Sequence, residues 1–353
     1  MRAGEVPRPG KFPALDDFRW IAVILVVANH TRSAEGPFLW LLTVLRRVAV
    51  PYFLMVSGYF LGRDGWRSTG RFLKRTALLY GVGVLLYLPL NWYAGQLSPD
   101  FPRQVVFDGS FYHLWYLPAL LLGTPAAWLL SRLGRRKALL IAGGLYLIGL
   151  GGDSYYGLLP EGVTSFYDVV FQVFTYTRNG LFYVPLFLLL GAAGVTLGRC
   201  VSLAGFLISL SMLVSEALLL RGAGVQRFDS MYVCFPFLMV FLFSLLLNAN
   251  RGERRELRRL TTLVSIAFAI LSESSGVSTR LRPRSLTRRS TLNRLSEAKD
   301  ILHNAVGVLH LAAYSGFAVF DGPLPVNGVV GNPGQPTRTA VDSIFDGGKL
   351  CFA

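Results

Sequence analysis

Asn179-Gly180-Leu181-Phe182-Tyr183-Val184-Pro185-Leu186-Phe187-Leu188-Leu189-Leu190-Gly191-Ala192-Ala193-Gly194-Val195-Thr196-Leu197-Gly198 runs for twenty residues without an Asp, Glu, Lys or Arg. A helix needs about 20 predominantly apolar residues to cross the hydrocarbon core of a bilayer. Three other uncharged runs reach that length, at residues 76–99, 109–131 and 230–250. Shorter ones lie at 20–31, 48–62, 138–152, 200–215 and 260–272. Backbone in hydrocarbon must satisfy its own hydrogen bonds, so such runs form helices or a closed barrel. Barrel strands alternate apolar and polar residues. Leu85-Leu86, Leu120-Leu121-Leu122 and Leu188-Leu189-Leu190 do not alternate. The expected fold is all-α, a polytopic transmembrane bundle of about eight or nine helices.

Composition agrees. The 353 residues are 52% hydrophobic and only 16% charged, with mean hydropathy +0.46. Soluble domains carry about 25% charged residues. The net charge is +15, but the basic residues sit between long apolar runs rather than on a polar, foldable surface, which argues against a nucleic-acid partner. Cys200, Cys234 and Cys351 are too few for a disulfide framework and lack metal-ligand spacing. No cleavable leader is evident before the first apolar run, so the first helix is expected to be retained.

Lys and Arg orient the bundle. With the N-terminus cytoplasmic, the segment Arg63, Arg67, Arg71, Lys74, Arg75 falls inside, as do Arg132, Arg135, Arg136, Lys137, then Arg199 and the cluster from Arg251 to Arg259. The opposite loops hold fewer cations, diluted by Asp100, Asp108, Asp153, Glu161 and Asp168. The expected location is the plasma membrane, multi-pass. From residue 273 the text turns Arg/Ser-rich and then Gly/Pro-rich. The expected division is therefore a membrane domain over 1–272 and a poorly ordered cytoplasmic tail over 273–353.

Polar groups inside a membrane are candidates for function by default. Arg19 and His30 stand eleven residues apart on the first helix, which is about three turns plus 20°, so they share a face about 16.5 Å apart along the axis. Asp16 falls near the same stripe. A cation near the cytoplasmic end suits a cofactor's phosphates, and a histidine deeper in suits a general base. An anionic head with a long thin reactive arm, the shape of acyl-coenzyme A, would bridge the two. The bland alternative is that Arg19 reaches the inner interface and His30 caps the outer helix end. Arg47 precedes the Pro51 helix, His113 and Trp115 open another span, and Arg178 with Asn179 opens a third. By the charge-derived topology His30, Arg47, His113 and Arg178 lie at one depth, toward the outer side.

These residues resemble a known family. Arg19, ten residues, then His30 is similar to the Arg-x10-His signature of the type-3 membrane acyltransferases, which O-acylate bacterial surface sugars. The segments Val50-Pro51-Tyr52-Phe53 to Ser57-Gly58-Tyr59-Phe60 and His113-Leu114-Trp115-Tyr116-Leu117 resemble that family too. Arg178-Asn179-Gly180-Leu181-Phe182 with Pro185 and Gly191 is similar to the branch forming the membrane half of vancomycin-resistance serine racemases. The resemblance implies an integral membrane enzyme with no permanently bound cofactor and no metal. It would take an acyl group from cytoplasmic acyl-coenzyme A and deliver it to a hydroxyl outside, on a glycan or another acceptor. His30 and Arg19 would be the catalytic residues, His30 deprotonating the acceptor hydroxyl or, alternatively, carrying the acyl group. Arg19, with Asp16 and Arg47, would serve the coenzyme side. His113, Trp115, Arg178 and Asn179 would line the acceptor side.

Two departures stand out. No racemase-like domain follows the membrane part, so pyridoxal chemistry is not supported, and the family continues with membrane helices where this sequence changes character near residue 273. Either the tail is a genuine divergence or the reading frame shifts near there, and the abruptness of the change makes the second the expectation. The competing expectations are a transporter-like module for a small amino acid and an inactive truncated relative.

Overall fold

The computed structural model describes residues 12–30, 44–93, 97–110 and 114–249, and the side chains of residues 13, 27–30 and 90 lie outside that description. All of these residues belong to one compact unit, Met1–Asp321. The 260–272 run and the tail from 273 fall outside the described residues.

Among the described residues the protein is all-α, with no strand. Its helices are α1 (Pro13–His30), α2 (Ala49–Arg63), α3 (Thr69–Tyr93), α4 (Phe101–Phe107), α5 (Tyr116–Ser131), α6 (Arg135–Gly151), α7 (Glu161–Val173), α8 (Val184–Ala193), α9 (Arg199–Ala223) and α10 (Phe235–Ala249), with a 3-10 turn at Tyr156–Leu158. Three stretches are long and apolar enough to cross a bilayer: Val44–Arg63, Thr69–Pro89 and Arg199–Ala223. Tyr116–Ser131, Val184–Ala193 and Phe235–Ala249 are apolar but shorter.

The twenty-residue run that opens the sequence argument yields a helix of only 10 residues. Its first residues are taken by a turn. Asn179 Oδ1 accepts from the Leu181 and Phe182 amides at 2.9 and 3.0 Å, the capping geometry that starts a helix. At the other end Gly194 adopts a left-handed conformation, φ 54°, and stops it. A helix this short reaches about 15 Å, half a hydrocarbon core. It is viable because Val184, Pro185, Leu186, Phe187, Leu188, Leu189 and Gly191 are buried in protein rather than lipid.

α8 is the axle of the bundle, packing on α2, α5, α6 and α10. It crosses α2 at backbone contact. A Cβ on Gly58 would meet the Leu188 carbonyl, and one on Gly191 would meet the Met55 carbonyl. Small residues allow such approaches between helices in membranes, where packing rather than water exclusion drives association. Apolar side chains also cover the outside: Leu78, Leu85 and Trp92 on α3, and Val201, Ile208 and Leu219 on α9, are exposed. A soluble protein would not present such belts; a bilayer solvates them.

Gly58 faces Leu188 and Gly62 faces Ala192, so α2 and α8 run parallel. Gly180 and Val184 against Ala119 and Gly123 show that α5 runs with them. The turns after α2, α5 and α8 therefore gather at one end of the bundle, together with Arg63, Arg132 and Arg199. The starts of α2, α5, α8 and α10 gather at the other, with the loops 152–155, 174–183 and 225–234.

Candidate functional site

α1 lies antiparallel on α2. Phe12 stacks on Tyr59 and Phe60 with ring centres 5.6 and 5.8 Å apart, and Phe18 stacks on Tyr52 at 4.8 Å. The Tyr52 hydroxyl donates to the Leu15 carbonyl. This packing carries the His30 end of α1 toward the Arg47 end of α2. Arg19 is largely covered, 11% exposed, and donates to Asp16, which is 55% exposed. Because α1 is unbroken over Pro13–His30, its register puts position 30 on the stripe of Leu15, Arg19, Ala22 and Val23. Leu15, Ala22 and Val23 are buried. The His30 side chain and all of His113 lie outside the described residues.

Arg47, Trp115 and Arg178 belong to one polar cluster at the loop end of the bundle. Arg47 pairs with Asp229. Arg178 Nη1 donates to Ser230 Oγ at 3.0 Å. Its guanidinium carbon lies 5.1 Å from the Trp115 ring centre and 4.6 Å from that of Tyr176. Cation–aromatic contacts of this kind gain when water is excluded. Burial, and the Arg47 charge nearby, lower Arg178 from the ordinary guanidinium value, although a guanidinium keeps its proton.

A carboxylate that the sequence reading did not single out builds this arrangement. Asp153 is fully buried. Its Oδ1 accepts from the Ser230 amide at 2.7 Å, the Met231 amide at 2.9 Å and Ser154 Oγ at 3.0 Å. Its own carbonyl accepts from the Arg227 and Phe228 amides. The 227–231 loop is thus wound around one side chain, and two consecutive residues of that loop, Asp229 and Ser230, each hold one arginine. Burial pushes the Asp153 carboxyl up from its ordinary value, while the backbone donors and both guanidiniums hold it down. Asp153→Ala is expected to cost about 3 kcal/mol, because it strands buried amides and two cations. Thermal unfolding in detergent would read this directly, and an unchanged midpoint would show that the loop does not depend on Asp153.

Asn179 stands next to Arg178 but spends its side chain locally. Besides capping the 180–183 turn, its Nδ2 donates to the Tyr176 carbonyl at 2.9 Å. Asp16 and Arg19 lie at the level of Tyr52, about one and a half helical turns along α2 from Arg47. The residues missed were Asp153, Tyr176, Asp229 and Ser230. The only sequence signal for them is an acid just outside an apolar run, a feature Asp153 shares with Asp100 and Asp108.

A family model described as an acyltransferase domain, that of the type-3 acyltransferases, matches residues 12–274. An amino-acid racemase of Enterococcus faecalis is 40% identical over 263 residues, covering 69% of this chain and 37% of that protein. A serine/alanine racemase of Enterococcus gallinarum is 38% identical over 262 residues, covering 67% and 37%. The chain thus spans less than two fifths of the length of these curated relatives. No solved structure matches it. The matched region takes in α1 to α10 and the whole polar cluster, and by that match this chain belongs to the type-3 acyltransferase family of membrane proteins.

Proposed function

We propose that the protein is a multi-pass plasma-membrane enzyme that moves an acyl group, of which acetyl is the simplest case, from cytoplasmic acyl-coenzyme A to a hydroxyl on an extracytoplasmic acceptor such as a surface glycan. The observation that carries this reading is α1. It is one unbroken helix with Arg19 near one end and His30 at the other, on a shared stripe, and its His30 end is directed toward the arginine cluster. In this reading Arg19 holds the coenzyme's phosphates from the inner side, with Asp16 orienting it. The thioester arm runs along α1 toward His30. The His30 imidazole takes the proton of the acceptor hydroxyl as that oxygen attacks the thioester carbonyl. The tetrahedral adduct then collapses, the carbon–sulfur bond breaks, and the coenzyme thiolate leaves to take up the proton. Arg47, His113, Trp115, Arg178 and Asn179 form the acceptor side.

The charge distribution supports the orientation. Arg63, Arg132 and Arg199 gather at the end opposite the cluster, where the positive-inside rule puts the cytoplasm. Bundle spans in addition to the three long helices are part of this proposal. The test is acetyl release from surface glycans of a strain lacking the gene. A lowered acetyl content, restored by the wild-type gene, is expected. Unchanged acylation would overturn the reading.

A second reading is a membrane module that handles a small amino acid, favoured by the similarity to amino-acid and serine/alanine racemases. It predicts uptake of labelled serine or alanine into proteoliposomes with no need for coenzyme A.

A further inference from the structure

The polar cluster contains more hydrogen-bond donors than its own residues use. Arg178 packs against Trp115 and Tyr176, and among the described residues it makes one hydrogen bond, to Ser230 Oγ. Arg47 makes one among the described residues, to Asp229. The Nε atoms of both are buried with no hydrogen-bond partner among the described residues. A guanidinium carries five N–H donors in a rigid fork, and a buried donor without an acceptor is costly. The two cations are close enough to repel, and the Asp153 and Asp229 carboxylates offset that repulsion in part.

The cluster is not sealed. Asp229 is 32% exposed and its partner Arg47 is 16% exposed, so this pair sits where water reaches. Asp153, by contrast, is committed to the loop amides. One carboxylate, that of Asp229, is therefore positioned to be exchanged for another. Trp115 and Tyr176 pack against the Arg178 guanidinium, and the edge of a guanidinium matches a carboxylate with two parallel hydrogen bonds.

We propose that Arg47 and Arg178 form a carboxylate subsite, so that the acceptor is a hydroxyl compound bearing a carboxylate, and Asp229 occupies Arg47 when the subsite is empty. The word acceptor rests on the acyl-transfer reading; the subsite itself does not.

The test uses the full chain in detergent and pairs of probes in which a neutral group replaces the carboxylate at one carbon: galacturonate against galactose, and L-lactate against L-lactamide. Equilibrium binding of the carboxylate member is expected to be about tenfold tighter in each pair. Arg178→Gln should erase that difference, and Arg178→Lys should not restore it, because an ammonium offers no fork. Asp229→Asn should strengthen carboxylate binding severalfold by removing the internal competitor, which mere loss of fold does not do. Equal binding within both pairs, no carboxylate binding at all, or weaker carboxylate binding by Asp229→Asn would overturn the subsite. Transfer from acetyl-coenzyme A to the neutral members with no preference for the acids would also overturn it, while leaving the transfer reading intact. Carboxylate binding without any transfer would do the reverse.

Discussion

Replacing His30 with alanine is expected to lower acyl transfer by about 10²- to 10⁴-fold, the range a positioned general base supplies. Membrane insertion and yield should stay at wild-type levels, because His30 is the last residue of α1 and the apolar face that inserts lies before it. The loss should fall on kcat. Arg19→Gln provides the contrast. It removes a cation from the other end of the same helix, so it should raise KM for acyl-coenzyme A more than it lowers kcat. Steady-state kinetics on the two purified variants separate the roles. A His30→Ala enzyme with wild-type kcat would remove the general base from the mechanism. A loss of equal size and kind in both variants would mean that the helix has been damaged rather than two sites lost.

The largest structural effect is expected at the α2–α8 crossing. A Cβ on Gly191 would lie 2.6 Å from Met55 Cα and 2.7 Å from its carbonyl carbon, and closer still to the carbonyl oxygen. These are backbone atoms, so no rotamer change relieves the clash. Gly191→Val is expected to cost about 3 kcal/mol, at the upper end for overpacking a tight interior. Because α8 touches α2, α5, α6 and α10, separating it from α2 should cost the whole bundle its packing. Gly143→Val on α6 is the control, since nothing lies within 4 Å of a Cβ there. Size-exclusion profiles and thermal midpoints in detergent compare the two. If Gly191→Val were as well behaved as Gly143→Val, the backbone crossing would not be a source of stability.

The length of α9 illustrates how far the sequence could be read. A scan for uncharged residues ends the 200–215 run at Glu216, yet the helix continues to Ala223. Glu216 is tolerated because its Oε1 accepts from the Tyr155 hydroxyl and the Val233 amide, each at 2.6 Å, and its Oε2 from the Cys234 amide at 2.9 Å. It thereby satisfies two amides of the turn that leads into α10, Val233 and Cys234. The donors come from residues 17 and 18 positions later and 61 earlier, so no local window contains them. The 179–198 run errs in the opposite direction. It is uniformly apolar and reads as a full span, but burial against four neighbouring helices lets it be half that length. Asp153 is a third case. In the sequence it is one acid among several beside apolar runs. Only the fold brings residues 227–231 around it and makes it the organiser of the two arginines.

What the sequence determined alone is the class: long uncharged runs without alternation force helices in a bilayer, since backbone polar groups there have no other partner, and the Arg19–His30 interval is fixed by helical periodicity along one continuous element. Which end of α1 meets Arg47, how α8 sits inside the bundle, and the assembly of Arg47, Trp115, Asp153, Tyr176, Arg178 and Asp229 were decided by tertiary structure. Those relations join residues up to 182 positions apart, and contacts of that range are set by which glycines let helices touch and which carboxylates find buried donors.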